Sequence, residues 1–337
     1  MTKTLAFIIF PALSALGANF VLYHALASGF ASKVFFEECT AIDNAFRLPY
    51  TGFPIVDQGL CVLISLFHSV FHPSVYPVMA WFMASSAPVV AFLALESRRQ
   101  NRNMPFMVKS PTFDGILMQT LSFAFTLPLY WMFAVTSGVA VSRPSAGGSV
   151  VPKSFATAVF FAVLLGFVVP TVYMLNLQTP YAILTWQPFP VYLAILQGLY
   201  LTVTGPSSKS GYAWIRALYT TCLVASAYFH VSAILPNIND TRTLQDLFVP
   251  TASLVEVTQP GPLHGLHMIQ WDAYIGLGSS ILATFWFADS VGQFFGILLW
   301  TLIAVPALGP GAAFSGVALW RESKLQPVPN QSKKHKH

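Results

Sequence analysis

Residues 264–288 read HGLHMIQWDAYIGLGSSILATFWFA, a hydrophobic run of helix length with a single carboxylate, Asp272, set between Trp271 and Tyr274. About 20 apolar residues suffice to cross a bilayer as a helix. An acid inside such a span is costly, so a functional role is the default hypothesis for Asp272. On a helix, the face of Asp272 continues through Gly276, Ser279 and Ala283 and runs back through Met268 and His264. Small residues allow neighbouring helices to approach closely, which predicts that Asp272 points into a bundle. A carboxyl kept neutral in an apolar pocket is a proton donor. The competing reading pairs the acid with a histidine or arginine for structure and leaves Trp271 and Tyr274 as interfacial aromatics.

The composition extends this reading to the whole chain. Its 337 residues are 55% hydrophobic and only 9% charged, against a usual charged fraction of about 25%. Mean hydropathy is +0.62. The expectation is an all-α polytopic transmembrane bundle of eight or nine spans, with residues 1–322 as one membrane domain and 323–337 as a basic, disordered cytoplasmic tail. The net charge of +5 then reports topology, and no nucleic-acid partner is expected. Cys39, Cys61 and Cys222 are widely spaced without a CxxC, which predicts neither a disulfide framework nor a zinc site. The apolar run after Lys3 lacks a clear cleavage site and is read as a retained first helix.

Hydrophobic runs place helices at 4–26, 57–71, 76–95, 114–140, 155–176, 189–204, 212–235, 264–288 and 291–319, with Pro306, Gly309 and Pro310 kinking the last. With the amino terminus outside the cytoplasm, this arrangement puts most Lys and Arg on the cytoplasmic side, as the positive-inside rule asks. No internal repeat of the kind seen in many transporters is evident.

The second informative stretch is 57–72, where Asp57, Cys61, Ser65, His68 and His72 recur at spacings of 4, 4, 3 and 4. At about 100° per residue they share one face, so this polar stripe faces protein or a cavity rather than lipid. Helix-to-helix hydrogen bonding, with Asp57 as a cap, is the alternative. Asp114 reads equally as a helix cap or a catalytic acid, with Gln119 a turn deeper. His230 shares a face with Tyr219 and Ser226. Asn176, Gln178, Trp186 and Gln187 occupy an uncharged loop suited to capping a pocket. No aspartate-rich DDxxD box is present, so magnesium-assisted diphosphate ionisation is unsupported. P-loop, GxSxG, HExxH and histidine-box motifs are also missing. Proton chemistry in an aromatic-lined cavity remains, and 29 Phe, 12 Tyr and 8 Trp can hold a carbocation by cation–π attraction.

Three segments carry a family resemblance: TGFPIVDQGLCVLISLF at 51–67, NLQTPYAILTWQPFP at 176–190 and MIQWDAYIGLGSS at 268–280. The chain resembles the fungal integral-membrane terpene cyclases of meroterpenoid clusters, especially the ascofuranone-type cyclase and related indole-diterpene cluster proteins. The resemblance implies cyclisation of an epoxidised farnesyl-type chain on an aromatic core, begun by protonating the epoxide without a metal or other cofactor. By role, Asp272 and Asp57 would form the acid pair. His68 or His230 would tune or reload it, with Asp114 a further candidate. Trp271, Tyr274, Trp131, Tyr130, Trp186 and Gln178 would shape the folded substrate. The expected partners are a lipophilic prenylated small molecule and membrane lipid, with no obligate protein partner, at the endoplasmic reticulum with a cytoplasmic carboxyl terminus. The alternatives are a proton-coupled transporter of a lipophilic metabolite and a non-catalytic lipid- or sterol-binding membrane protein.

Overall fold

A computed structural model describes residues 2–41, 43–99, 104–140, 150–207 and 209–326; residues 327–337, most of the expected tail, lie outside it. Among the described residues every named element is helical. Five helices are long and apolar enough to cross a membrane: α1 (Lys3–Ala27), α3 (Tyr76–Glu96), α6 (Lys153–Leu177), α8 (Tyr212–Asn237) and α10 (Val291–Leu308). Six more complete the bundle. They are α2 (Pro54–Ser69), α4 (Pro111–Thr120), α5 (Phe123–Thr136), α7 (Phe189–Thr204), α9 (residues 261–287) and α11 (Pro310–Lys324). α10 turns Phe295, Leu299, Leu302 and Ile303 outward, an apolar face suited to lipid.

Side-chain contacts fix the two ends. At one, Trp286 Nε1 donates to Thr2 O at 3.2 Å and the Arg321 guanidinium lies 4.8 Å from the centre of the Phe287 ring. The start of α1 and the last turn of α11 therefore share an end. At the other, His24 stacks on His267 at 3.6 Å and Phe30 on His264 at 4.2 Å. Between these ends α1, α3, α6, α7, α8, α9, α10 and α11 make eight passes. The expected last helix is two: Gly309, at φ +87°, turns the chain between α10 and α11, and the Trp300 Nε1 bond to Ala313 O clasps the resulting hairpin. A residue with a Cβ resists that backbone conformation. An even number of passes puts both termini at one end, which corrects the expectation of opposite sides.

Two expected spans do not cross. α2 lies over the end that holds His264: it packs Phe67 on Trp186 at 5.4 Å, and a Cβ on Gly265 would lie 2.4 Å from Ser69 Oγ. The expected span 114–140 is the hairpin α4–α5. α4 starts beside Leu93 and Ala94 at the foot of α3, and the chain turns back at Leu121 and Ser122. The turn sits at mid-bundle depth, because Ser14 Oγ donates to Phe125 O at 2.8 Å and Gly17 abuts Ala124. Ser122 starts α5 by accepting the Phe125 N–H at 2.9 Å, as a serine cap does.

Cys39 and Cys61 form a disulfide with their Cα atoms 5.8 Å apart, against the expectation that the widely spaced cysteines form no disulfide framework. Twenty-two residues separate them, and only the fold of the segment over α2 brings them within bonding range. At the opposite end Glu96, Arg99, Arg321 and Glu322 form a buried ion network. Arg321 Nη1 meets Glu96 Oε1 at 2.8 Å, Arg99 Nε meets the same oxygen at 2.6 Å, and Arg99 also pairs with Glu322. Glu96 is thus a buried member of a network.

Candidate functional site

The walls of the main cavity come from α1, α2, α3, the α4–α5 turn, α6, the start of α7 with the segment before it, and α9. It holds about 370 Å³, within the usual range of roughly 300–1,000 Å³ for ligand sites. Its surface is largely apolar, with Phe67, Phe82, Phe123, Phe167, Trp186 and Phe189 among the lining rings. Trp186 is fixed there by donating Nε1–H to Thr171 Oγ1 at 2.9 Å. A few polar side chains reach the same space: His24, Gln119, Ser122, His264, His267 and Asp272.

Asp272 ends the first segment of α9, and a wider π turn, Ala273–Leu277, follows it. Such turns often mark functional positions in helices. The turn presents Gly276 to Phe123 so closely that a Cβ would lie 2.1 Å from the ring. That approach brings the Asp272 carboxyl onto the first residues of α5. Its Oδ1 accepts the Ala124 N–H at 2.8 Å. Asp272 therefore caps a helix that begins in the middle of the bundle, and faces the cavity while doing so. The Ala124 amide and the positive end of the helix hold the carboxylate that remains once a proton has left.

Trp186, Gln119 and His264 share the cavity with Asp272; the structure places the other candidate site residues elsewhere. Asp57 is a loop clamp that accepts the Thr51 N–H and hydroxyl at 2.8 Å each and the Gly52 N–H at 3.1 Å. His68 is exposed on α2 against Phe46. Asp114 is buried outside the cavity, with no hydrogen-bond partner among the described residues. His230 ties helices together, accepting Trp81 Nε1–H at 3.1 Å and donating to Pro306 O at 3.1 Å. Trp131 and Tyr130 belong to the core, where Trp131 donates to Ser280 Oγ at 3.0 Å. Trp271 stacks on Phe20 at 3.8 Å and donates to Thr251 O. The Tyr274 hydroxyl donates to Phe248 O. Gln178 ends α6 at φ +53° and donates to Leu175 O. Apart from Asp114, each of these has a packing or capping task away from the cavity.

The polar wall also includes residues that were passed over in the sequence. His24 sits in the apolar run of α1, and His267 was not marked on α9. The spacing of His264 and His267 was the available signal, since 3 residues along a helix return near one face.

A family model described as the CtvD domain matches residues 5–325. The chain belongs to the CtvD-domain family. Within it, the chain is 26% identical over 283 residues to "Terpene cyclase ctvD" of Aspergillus terreus (strain NIH 2624 / FGSC A1156), covering 75% of this chain and 78% of that protein. It is 27% identical over 211 residues to "Terpene cyclase ascI" of Acremonium egyptiacum, covering 57% and 54%. No solved structure matches the chain. This CtvD-domain protein is an enzyme of the terpene cyclase type, built as an all-α membrane bundle.

Proposed function

We propose that the chain protonates the epoxide of an epoxyfarnesyl-type chain attached to an aromatic core and cyclises it, with Asp272 as the acid. The observation that carries this is Asp272 itself, a carboxyl facing an apolar, aromatic-lined cavity from the start of a buried helix. The Asp272 O–H passes its proton to the epoxide oxygen, and the bond to the more substituted carbon breaks. Positive charge builds on that carbon, and an alkene of the same chain attacks it to close a ring. The oxygen remains as a hydroxyl. Ring faces such as Phe82, Phe123 and Trp186 attract the travelling cation, and the Ala124 amide holds the carboxylate left behind. The aspartate-rich box needed for diphosphate ionisation is missing from the sequence, which favours the acid route.

Incubating membranes bearing the protein with a synthetic farnesyl phenol carrying a terminal epoxide tests the reading. A cyclic product of unchanged mass is expected. Recovery of the intact epoxide, beside uptake of the compound into sealed vesicles under a pH gradient, would favour a transporter instead.

The orientation follows from charge. At the end of the bundle that holds both termini are Lys3, Arg98, Arg99, Lys109, Lys153, Lys209, Arg216, Arg321 and Lys324; at the cavity end are Lys33, Arg47 and Arg242. Nine against three among the described residues makes the terminal end cytoplasmic by the positive-inside rule. The Cys39–Cys61 disulfide at the cavity end fits an oxidising lumen, as in the endoplasmic reticulum. The carboxyl terminus is then cytoplasmic, the amino terminus beside it, and the cavity nearer the lumenal face.

A further inference from the structure

Cyclisation by proton donation leaves a cation that must lose a proton to become a neutral product, so the cavity needs a base as well as an acid. The wall that α9 contributes beside Asp272 supplies two imidazoles held in a defined tautomer. His267 Nε2 lies 3.1 Å from Phe20 O and His264 Nε2 lies 3.1 Å from Glu256 O. A carbonyl oxygen only accepts, so in each ring Nε2 carries the hydrogen and, in the neutral ring, Nδ1 carries the lone pair. Both Nδ1 atoms are buried with no hydrogen-bond partner among the described residues, and both residues line the cavity. An unpaired buried acceptor is costly. His267 is the more enclosed, at 2% exposure, and carries the His24 ring stacked on it at 3.6 Å and 21°.

We infer that His267 Nδ1 is the terminating base, with His24 as its positioning partner; this rests on the epoxide-opening reading above. In the closing step Nδ1 takes a proton from a carbon adjacent to the cationic centre, and the C–H electron pair becomes the new C=C bond. The imidazolium that forms keeps its Nε2–H bond to Phe20 O and lies against the face of the neutral His24 ring. Two stacked imidazoles oppose double protonation, so the pair holds one proton at a time. Passing that proton to the Asp272 carboxylate restores both groups for the next turnover. One proton is gained at oxygen and one lost from carbon, so product and substrate are isomers and no oxidant or co-reactant enters.

The test uses the full-length protein in membranes with the epoxyfarnesyl phenol. His267→Gln keeps a donor and an acceptor but removes the base. A fall in kcat of at least about tenfold is expected, with KM within about twofold. The product should shift to other alkene isomers or to a water-captured product heavier by one H2O. His24→Phe keeps a stacked ring and should give a smaller fall in kcat with the same product shift. A His267→Gln enzyme that makes the wild-type product at wild-type kcat overturns the base. A variant that changes KM alone, with the product profile intact, also overturns it in favour of substrate anchoring. A wild-type protein inert towards the epoxide, by contrast, sinks the cyclisation reading on which the base depends.

Discussion

Gly276 shows how a single atom governs this site. A Cβ there would lie 2.1 Å from Phe123 Cδ1, so Gly276→Ala must push α5 away from α9 and with it the Ala124 amide that meets Asp272. Overpacking of this kind costs about 1–3 kcal/mol. We predict a lower melting temperature in detergent together with a loss of turnover larger than the stability change explains. Gly278, two residues on, meets nothing within 4 Å, so Gly278→Ala should leave both quantities unchanged. Ser122→Ala removes the hydroxyl that caps α5 beside Asp272. It should cost roughly 1 kcal/mol of stability and slow cyclisation less than loss of the acid does.

At the scale of elements, the ion network at the foot of α3 and α11 is buried to 0–1% side-chain exposure. Removing one member strands its partners' charge in an apolar setting, which costs about 3–5 kcal/mol. Glu96→Gln should therefore lower thermal stability in detergent by several degrees while leaving the distant cavity intact, a result checked by melting and turnover on one preparation. The disulfide is a separate clamp on the segment over α2. Closing a loop of this length contributes roughly 3 kcal/mol in the chain-entropy model, and Cys61→Ser should lose a comparable amount. Apolar runs made the helical class legible, because length and hydrophobicity alone demand helices in a bilayer. The small-residue face of α9 made the inward aim of Asp272 legible, since Gly276, Ser279 and Ala283 are buried as close packing requires. What was not legible depends on partners distant in sequence. α2 has the composition of a span, yet its ends are held by Thr51 and Gly265 at one end of the bundle. The α4–α5 hairpin has the length of a span, and Asp272, 148 residues from Ala124, is what stabilises its buried turn. Asp57 and His230 drew attention as polar residues in apolar runs, and their hydrogen bonds prove local or structural.

For the whole molecule, the proposed orientation has the start of α1 and the end of α11 on the cytoplasmic side and the cavity end in the lumen. Protease added to sealed microsomes should remove an epitope tag fused to the carboxyl terminus and spare one inserted at 252–256, in the long loop before α9. The reverse pattern would invert the bundle. The arrangement also joins orientation to chemistry: acid, aromatic rings and histidines all sit in the half of the bundle beneath α2, while the charged network sits in the other. The most direct test of the central claim is turnover of the epoxyfarnesyl phenol by Asp272→Asn. The asparagine oxygen can still accept the Ala124 N–H, so the helix start survives and the protein should accumulate as the wild type does, but no acid remains. A fall in kcat of at least about a hundredfold, with normal folded yield, is the predicted result. Wild-type turnover by that variant would contradict the assignment of Asp272 as the proton donor.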